Sequence, residues 1–377
     1  MQIEQHVWIG EQGWQSALPI AADERTCLIL TFGSPEQLRR EAPFRDLRIA
    51  YPHATLAGCS TAGEIAGSAV LDQALVATVI WFEHSTFDCI DVELAAGDSG
   101  AAAARRIAQA LVRPGLRHVF VLCDGLMVNG STFAHALHDA LPPGVNATGG
   151  LAADSDRFAE TLVCLNGTGR PGSALGIGLY GERLQLGFGS MGGWSSFGPS
   201  RTITRSRGNV LHELDGQAAL SLYKDYLGVH SSGLPSSALL FPLLLEDAAG
   251  GGLVRTVLAV DEAAGSLTFA GDMPEGARAR LMKANIDRLV DGACDSAQAS
   301  ARRMNGSQAE LAILVSCVGR KLVLRQRTEE EIEAVRDILP QAALAGFYSY
   351  GELCPQGHAG NCELHNQTMT VTTLAEA

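Results

Sequence analysis

The chain has 377 residues, 46% of them hydrophobic and 18% charged, which is the balance of a folded protein with a substantial core rather than a disordered one. Its 28 Lys and Arg and 41 Asp and Glu leave a formal charge of −13 without a basic cluster, so we expect no binding to nucleic acid. No apolar run approaches the roughly 18 residues of a transmembrane helix, and the N-terminal residues lack the features of a secretory signal, so we expect a cytoplasmic protein without membrane insertion.

The first elements along the chain form a predicted α/β unit. An apolar strand at residues 27–32 precedes a helix-like stretch rich in Arg and Glu. A strand ending in a glycine turn follows at residues 52–65, and a β-rich run follows at residues 74–82. The expected order is therefore strand, helix, strand, glycine turn, strand.

The middle of the chain is less regular. Residues 119–154 resemble a weaker copy of the first unit, although chance similarity in an alanine- and glycine-rich chain would look the same. Alternating apolar and small residues over 173–206 predict twisted β-hairpins, and a helix is expected at residues 216–226. The stretch around residues 228–237 marks the expected boundary, which gives an N-terminal domain at residues 1–225 and a C-terminal domain at residues 226–377.

The second domain is predicted to begin with strands at residues 253–260 and 265–270 and an amphipathic helix at residues 278–299. A strand at residues 311–316, a helix rich in Arg and Glu, and a glycine turn at residues 340–353 follow. With a last strand at residues 368–374, these elements repeat the order of the first unit.

An internal repeat is the most informative feature of the sequence. Residues 52–65 and 340–353 both read P-x-A-x-L-A-G-x-x-[ST]-x-G-E-[IL] without a gap. By analogy, duplicated α/β units pack with equivalent loops facing each other, and ligands bind beyond the carboxyl ends of strands. We therefore predict two related α/β halves with a central cleft lined by both glycine turns. The alternative is that both turns are tight corners that serve the fold alone.

Further motifs stand in a fixed order along the chain, at residues 124–125, 149–154, 214–216, 316–320 and 365–368. Together with the two glycine turns, they resemble the FIST family over nearly the whole chain. The resemblance implies an N-terminal FIST region over about residues 25–225 and a C-terminal one over about residues 226–360.

The resemblance implies a bacterial signal-transduction sensor that binds a small ligand such as an amino acid and that is not an enzyme. Its partner is expected to be a separate signalling protein such as a histidine kinase, and a homodimer is a compatible assembly. Similar stand-alone members are described as haem-binding nitric-oxide sensors, so haem is a candidate cofactor.

The motifs also supply the predicted ligand-binding residues: Cys59, Ser60, Thr61, Glu64, Asp154, Arg320, Tyr348, Glu352, His365 and Asn366. For a polar ligand, Glu64 or Glu352 would bind an ammonium group and Arg320 would bind a carboxylate. Alternatively, each glutamate bonds the backbone of its own turn and Arg320 anchors a loop. Replacing either glutamate with alanine is expected to weaken ligand binding and to leave the fold largely intact.

Haem would need an axial His, Cys, Tyr or Met beside an apolar slot, and the absence of C-x-x-C-H argues against covalent attachment. His365, His212 and Cys354 are candidates, but each is also explained as a structural side chain, so no axial ligand is assigned. The nine cysteines include no C-x-x-C pair and are expected to be reduced and mostly buried.

Catalysis is the rival class of function. Gly58-Cys59-Ser60 after a strand resembles a nucleophile turn, but that pattern needs glycine where the chain has Ala62. A Cys59 nucleophile would need a base such as His53 or His365, and the equivalent residue in the other repeat is Phe347. These mismatches favour a binding protein over a cysteine-dependent enzyme.

Overall fold

The computed structural model describes residues 1–19, 23, 25–95, 99–247, 252–357 and 360–377. The strands in this part of the chain are, in order, β1 (Gln2–Ile9), β2 (Gly13–Trp14), β3 (Cys27–Gly33), β4 (Ala54–Ser60), β5 (Glu64–Ala66), β6 (Ala69–Leu71), β7 (Leu75–Trp81), β8 (Thr86–Glu93), β9 (Leu116–Cys123), β10 (Asn146–Leu151), β11 (Val163–Leu165), β12 (Ser173–Tyr180), β13 (Leu184–Met191), β14 (Ser195–Arg207), β15 (Val210–Leu214), β16 (Gln217–Ala218), β17 (Leu243–Glu246), β18 (Gly252–Arg255), β19 (Val257–Asp261), β20 (Ser266–Phe269), β21 (Arg278–Lys283), β22 (Leu311–Cys317), β23 (Ala343–Ser349), β24 (Gly351–Pro355), β25 (Cys362–His365) and β26 (Met369–Glu376). The α-helices are α1 (Pro35–Leu38), α2 (Glu41–Ala50), α3 (Ala101–Leu111), α4 (Gly130–Ala140), α5 (Ala219–Leu227), α6 (Ile286–Arg303), α7 (Val318–Leu324) and α8 (Thr328–Ile338). Short 3-10 helices cover Gly10–Gln12, Gly228–Gly233, Ser236–Leu240 and Arg325–Arg327.

Three of the sheets share one strand order. The first sheet runs β11-β4-β3-β7-β1-β2, the second β25-β24-β10-β9-β12-β8, and the third β6-β5-β23-β22-β26-β13. Each contains a parallel pair, namely β3 with β4, β9 with β10, and β22 with β23, and an antiparallel strand next to the first member of that pair. The chain therefore contains a first repeat (residues 27–81), a second repeat (residues 116–180) and a third repeat (residues 311–376). The weaker copy predicted at residues 119–154 is confirmed as the second repeat.

A glycine occupies the same position in the parallel pair of every repeat. The facing residues are Thr31 for Gly58, Val121 for Gly149 and Leu314 for Gly346. A Cβ atom on these glycines would lie 1.8, 1.9 and 1.9 Å from the carbonyl oxygen of the facing residue. The close approach of the two parallel strands therefore requires glycine at this position.

Each repeat also contributes at least one strand to the sheet of another repeat. β5 of the first repeat pairs with β23, β11 of the second pairs with β4, and β24 of the third pairs with β10. The exchange is cyclic, so the three sheets are joined in a closed ring.

The inner faces of the three sheets form one apolar core. The ring centroids of Phe32 and Phe347 lie 4.6 Å apart, and a Cβ atom on Gly150 would come within 2.6 Å of Val315 Cγ1. Each buried phenylalanine contributes about 1.5–3 kcal/mol to the free energy of unfolding. The centre between the sheets is therefore closely packed with apolar side chains, and the polar groups of the glycine turns lie at the strand ends.

The fourth sheet runs β18-β17-β21-β14-β15-β20-β19, with β16 beside β15, and α5 covers its apolar face. The helix predicted at residues 278–299 is wrong at its start, because Arg278–Lys283 forms β21 with alternating exposed and buried residues. Asn285 then begins α6 by accepting the N–H of Arg288 at 3.2 Å.

The β-hairpins predicted over residues 173–206 are also wrong, although the three strands exist. β12 pairs with β8 and β9, β13 pairs with β26, and β14 pairs with β15 and β21, so the three lie in three different sheets. Alternation predicts that a segment is a strand, but it does not identify the partner strand.

The mixed α/β class is confirmed. The predicted boundary after residue 225 falls inside α5, and the two sequence halves share sheets, since β5 and β13 lie in the third sheet and β24 and β25 lie in the second.

Candidate functional site

The glycine turn of the first repeat buries a carboxyl group against its own backbone. Thr61 Oγ1 donates to Glu64 Oε1 at 2.5 Å, and the N–H of Ala74, just before β7, donates to Oε2 at 3.2 Å. Glu64 therefore ties the turn after β4 to the start of β7.

The third repeat reproduces this arrangement. Ser349 Oγ donates to Glu352 Oε1 at 2.6 Å, and the N–H and hydroxyl of Thr368 donate to Oε2 at 3.2 and 2.9 Å. Burial raises the pKa of both Glu64 and Glu352 to about 8, against the opposing effect of these hydrogen bonds. The two glutamates are thus internal copies with the same bonding and the same pKa.

The glycine turns contact one another directly through their backbones. The N–H of Ala62 donates to the carbonyl of Tyr348, and the N–H of Tyr348 donates to the carbonyl of Gly63, both at 2.8 Å. Similarly, the N–H of Tyr350 donates to Leu151 O at 3.2 Å. The prediction that equivalent turns of the repeats come together is thus confirmed.

A pocket of about 420 Å³ opens beside the turn of the first repeat, at the carboxyl ends of β3 and β4. We call it the turn pocket. It is lined by Ser34, Glu36, Thr61, Gly63, Glu64, Asp72, Gln73, Ser155, Asp156 and Arg157. Its place matches the usual ligand position in α/β sheets, beyond the carboxyl ends of parallel strands.

The charges around the turn pocket are unevenly compensated. Arg157 Nη1 donates to Glu36 Oε1 at 2.6 Å, and Lys321 forms an ion pair with Asp72. Within the described residues, Glu64 and Asp156 form no ion pair. Arg157 also lies 3.8 Å from Asp154 Oδ2, so both cationic side chains are paired, and the carboxyl groups of Glu64 and Asp156 remain for a ligand.

Residues from all three repeats contribute to the turn pocket. Lys321 of α7 in the third repeat donates from Nζ to Ala62 O at 2.8 Å, and a Cβ atom on Gly63 would lie 2.5 Å from Nζ. Residues 155–157 reach the pocket from the end of β10 in the second repeat. Gly63 therefore leaves room for a lysine side chain at the wall of the pocket.

Of the ten predicted ligand-binding residues, Thr61 and Glu64 line the turn pocket. Cys59 lies in the apolar core between the sheets, where burial raises the pKa of its thiol. Ser60 is buried, and its Oγ accepts the N–H of Leu162 at 2.9 Å.

Asp154 does not line the turn pocket, but its carboxylate binds the backbone of the loop that forms one wall of the pocket. Its Oδ2 accepts the N–H groups of Ala159 and Glu160 at 3.0 and 2.9 Å, and the Tyr350 hydroxyl donates to its Oδ1. These bonds hold the loop that carries Ser155, Asp156 and Arg157.

Arg320 and Tyr348 take part in a buried network outside the pocket. Arg320 Nη2 donates to Glu331 Oε2 at 2.7 Å and Nη1 donates to Gly192 O at 2.6 Å. Tyr348 donates its hydroxyl to Glu331 Oε1 at 2.7 Å. Arg320 thus anchors the segments around α7 and α8, which corresponds to the structural alternative for this residue.

Glu352, His365 and Asn366 lie in and beside the turn of the third repeat. Buried His365 donates from Nε2 to Cys354 O at 3.0 Å, and burial lowers its pKa to about 4. Asn366 Nδ2 donates to His365 O at 3.0 Å. These three residues are therefore separate from the turn pocket.

Sequence reasoning missed five charged residues at the turn pocket: Glu36, Asp72, Asp156, Arg157 and Lys321. The acidic and basic residues directly after Asp154 and the lysine after Arg320 were the available signals. Their importance depends on contacts between different repeats, which motifs within one repeat do not show.

The donor groups at the turn pocket are oxygen atoms and cationic nitrogens, which do not suit a porphyrin. None of the haem candidates His365, His212 and Cys354 lines it. Among the described residues, no three His, Cys, Asp or Glu side chains could together hold a metal ion. No helix in the described ranges combines the length and apolar character that a membrane span needs.

The sequence matches the FIST N domain over residues 27–217 and the FIST C domain over residues 219–355. The chain belongs to the FIST family. FIST domains indicate a sensor of signal transduction, so the sensor class predicted from the motifs is confirmed at this level.

Two uncharacterised proteins of Mycobacterium tuberculosis, from strains CDC 1551 / Oshkosh and ATCC 25618 / H37Rv, are each 24% identical to this FIST protein over 286 residues. The match covers 67% of this chain and 72% of each relative. Among solved structures, cyanuric acid hydrolase from A. caulinodans is similar over 78% of this chain and 99% of its own, with 11% sequence identity and a TM-score of 0.18. A similarity this low carries no argument about fold or activity.

Proposed function

We propose that this FIST protein is a non-catalytic sensor whose turn pocket binds a small polar ligand with an ammonium group, such as an amino acid. The observation that carries the proposal is the pair of acidic groups, Glu64 and Asp156, that line the pocket without an ion-pair partner in the described part of the chain. An ammonium group would pair with the carboxylate of Asp156 and would favour the ionised form of Glu64, whose pKa burial raises to about 8.

An amino acid also needs a partner for its carboxylate. Arg157 lines the pocket and Lys321 lies against Gly63 at its wall. The side chain of Arg157 is about half exposed, so its bond to Glu36 exchanges readily with a ligand carboxylate. Arg157 and Lys321 therefore replace Arg320 as the cationic side of the proposed site.

The loop that forms one wall of the pocket offers a route for the signal. Phe158 follows Arg157, has 44% of its surface exposed, and stacks on Tyr350 with ring centroids 4.4 Å apart. A ligand that draws Arg157 into the pocket would shift the balance between two positions of this loop. A separate signalling protein, such as a histidine kinase, would read the exposed side of the loop.

A binding role accords with the state of the cysteine once considered as a nucleophile. Cys59 is wholly buried, and burial raises the pKa of its thiol, so its reactive thiolate form is disfavoured.

The remaining hypothesis, a haem-based nitric-oxide sensor, is tested by the absorption spectrum of the protein with added hemin. A stoichiometric Soret band that shifts with nitric oxide would support it.

The main test compares ligands with and without an ammonium group. We expect L-amino acids or simple primary amines to raise the melting temperature of the protein, and their N-acetyl derivatives to have no effect. Glu64→Gln should raise the dissociation constant of the best ligand at least about tenfold, because a charged hydrogen bond contributes roughly 1.5–3 kcal/mol. Isothermal titration calorimetry measures this change.

Glu246→Gln is the matched control, since Glu246 is a mostly buried carboxylate in the fourth sheet whose Oε1 forms an ion pair with Arg280 Nε at 2.9 Å. It should leave the dissociation constant unchanged. Equal effects of Glu64→Gln and Glu246→Gln, or equal binding of acetylated and free amines, would contradict the proposal.

A further inference from the structure

A second pocket, of about 400 Å³, opens at the other end of the second sheet from the turn pocket. Its lining includes the first residues of three strands, namely Leu116 of β9, Asn146 of β10 and Leu184 of β13, so we call it the amino-end pocket. The loop that lines the turn pocket follows the opposite end of β10, about 17 Å from Asn146 at roughly 3.3 Å per residue. The two pockets are therefore separate.

The amino-end pocket is cationic. Among the described residues that line it, Arg117 and Arg303 are basic and none is Asp or Glu. His118 also lines the pocket, but burial lowers its pKa to about 4, so its imidazole is neutral at pH 7. In a chain with a formal charge of −13, a pocket with two arginines and no acidic side chain favours an anionic ligand.

The two arginines differ in the groups that they can offer to a ligand. Arg303 Nη1 and Nη2 donate to the carbonyls of Phe188 and Gly357 at 2.8 and 2.6 Å, and Cζ of Arg303 lies 4.4 Å from the centroid of the Phe188 ring. These contacts hold the charge of Arg303 in place at the end of α6. Arg117 is exposed and forms no hydrogen bond or ion pair within the described residues, so its donors are available.

Amide side chains and an apolar surface complete the lining of the amino-end pocket. Asn146 and Gln185 come from the starts of β10 and β13. Asn305 follows α6 with a φ of +51°, a left-handed conformation that asparagine adopts more readily than most residues at a helix end. Each amide can donate hydrogen bonds to ligand oxygens, and Leu186 and Phe188 offer apolar contacts.

The lining groups of the amino-end pocket match a phosphate monoester better than a carboxylate. A phosphate monoester has a charge of about −1.5 to −2 at pH 7 and three strong acceptor oxygens. Two arginines and three amide side chains match this charge and this number of acceptors, whereas a carboxylate has a single charge and two oxygens. The apolar surface would contact the organic part of the ester.

We propose that the amino-end pocket binds a small organic phosphate monoester, in which Arg117 donates to the phosphate oxygens and Arg303 adds a fixed positive charge. This site goes beyond the function proposed for the turn pocket and does not depend on it. The protein would then respond to an amine at one end of β10 and to a phosphate at the other.

Phenyl phosphate is the probe for this site. Isothermal titration calorimetry with the full chain measures its dissociation constant beside those of benzoate and phenol. We expect phenyl phosphate to bind at least about tenfold more tightly than benzoate, because its additional charge and oxygen form further charged hydrogen bonds. Phenol, which has the ring without the anion, should not bind.

Two variants test the residues of the amino-end pocket. Arg117→Gln should raise the dissociation constant of phenyl phosphate at least about tenfold, because charged hydrogen bonds to the ligand are lost. Asn146→Asp should also weaken binding at least about tenfold, since it adds a negative charge to the lining at nearly constant volume. An unchanged melting temperature by circular dichroism checks that each variant is folded, and exposed Arg117 is not needed for folding.

Arg207→Gln is the matched control. Arg207 is also an exposed strand arginine without a hydrogen bond or ion pair in the described part of the chain, and it lies at the end of β14 in the fourth sheet. This variant should leave the dissociation constant of phenyl phosphate unchanged. Glu64→Gln should also leave it unchanged, so that failure at the turn pocket and failure at the amino-end pocket are distinguishable.

Four results would overturn the phosphate site. They are no binding of phenyl phosphate to the wild-type protein, equal affinities for benzoate and phenyl phosphate, equal affinities of the wild type and Arg117→Gln, and equal losses in Arg117→Gln and Arg207→Gln. The last result would show that the net charge of the protein, rather than the amino-end pocket, determines the binding.

Discussion

Glu64 and Glu352 occupy equivalent positions in the first and third repeats, and both carboxyl groups are buried. Each accepts hydrogen bonds from hydroxyl and N–H groups of its own repeat, and each has a pKa raised to about 8 by burial. Because the unfolded pKa is 4.5, the stability associated with the neutral form is complete below pH 4.5 and is lost as the pH rises towards 8.

The difference between the folded and unfolded pKa values of the two glutamates predicts that the free energy of unfolding depends on pH in a defined range. Buried His118 and His365 have pKa values lowered to about 4 from 6.5, so their contribution is lost as the pH falls below 6.5 and does not change above it. Between about pH 6.5 and 8, the free energy of unfolding of the wild-type protein, measured by urea titration, should fall by at most about 1.4 kcal/mol per pH unit for each glutamate. Glu64→Gln and Glu352→Gln should each reduce this slope, and parallel curves for wild type and both variants would contradict the pKa assignment.

Thr61 and Glu64, which line the turn pocket, were predicted from the sequence because the repeated motif contains both. Arg157 and Lys321, which come to the turn pocket from the second and third repeats, were not predicted. Their positions depend on how the repeats pack, and no motif within a repeat encodes this information.

At the scale of elements, the parallel strand pairs are predictable because glycine is required where the strands approach most closely. Gly58, Gly149 and Gly346 occupy one equivalent position, and the sequence repeat already contained the first and last of them. β21 was missed because its apolar residues are also compatible with the period of the helix that follows.

Gly58→Ala tests this steric requirement. The added Cβ atom would lie 1.8 Å from the carbonyl oxygen of Thr31, so β3 and β4 must separate. We expect a loss of about 3 kcal/mol or more in the free energy of unfolding, measured by urea titration.

Gly167→Ala is the control for this substitution, because a Cβ atom there meets no atom within 4 Å. It should change the free energy of unfolding by less than about 1 kcal/mol. Similar losses in both variants would show that glycine is needed for chain flexibility rather than for strand approach.

At the scale of the whole molecule, the ring of three sheets joins both sequence halves. Alternation and glycine turns predicted most individual strands, but the cyclic exchange of β5, β11 and β24 was not predictable. Each exchanged strand pairs with residues far away in the chain, so its partner cannot be predicted from its own sequence.

The shared sheets predict that the two sequence halves do not fold separately. Residues 1–225 lack β23 and β26, which are the partner strands of β5 and β13. Residues 226–377 lack β10, which is the partner strand of β24. Each fragment expressed alone should show no cooperative thermal transition by circular dichroism, and co-expression should restore one. A cooperative transition in either isolated fragment would instead support the domain boundary predicted from the sequence.

The pairing of β5 with β23 also affects how the protein is made. Glu64 faces Phe347, which is 283 residues later in the chain, so at about 5–20 residues per second the ribosome needs roughly 15–60 s to supply the partner strand. During this time the edge of β5 is open to pairing with other nascent chains. We therefore expect newly synthesised protein to depend on chaperones that cover exposed strand edges until the C-terminal repeat has emerged.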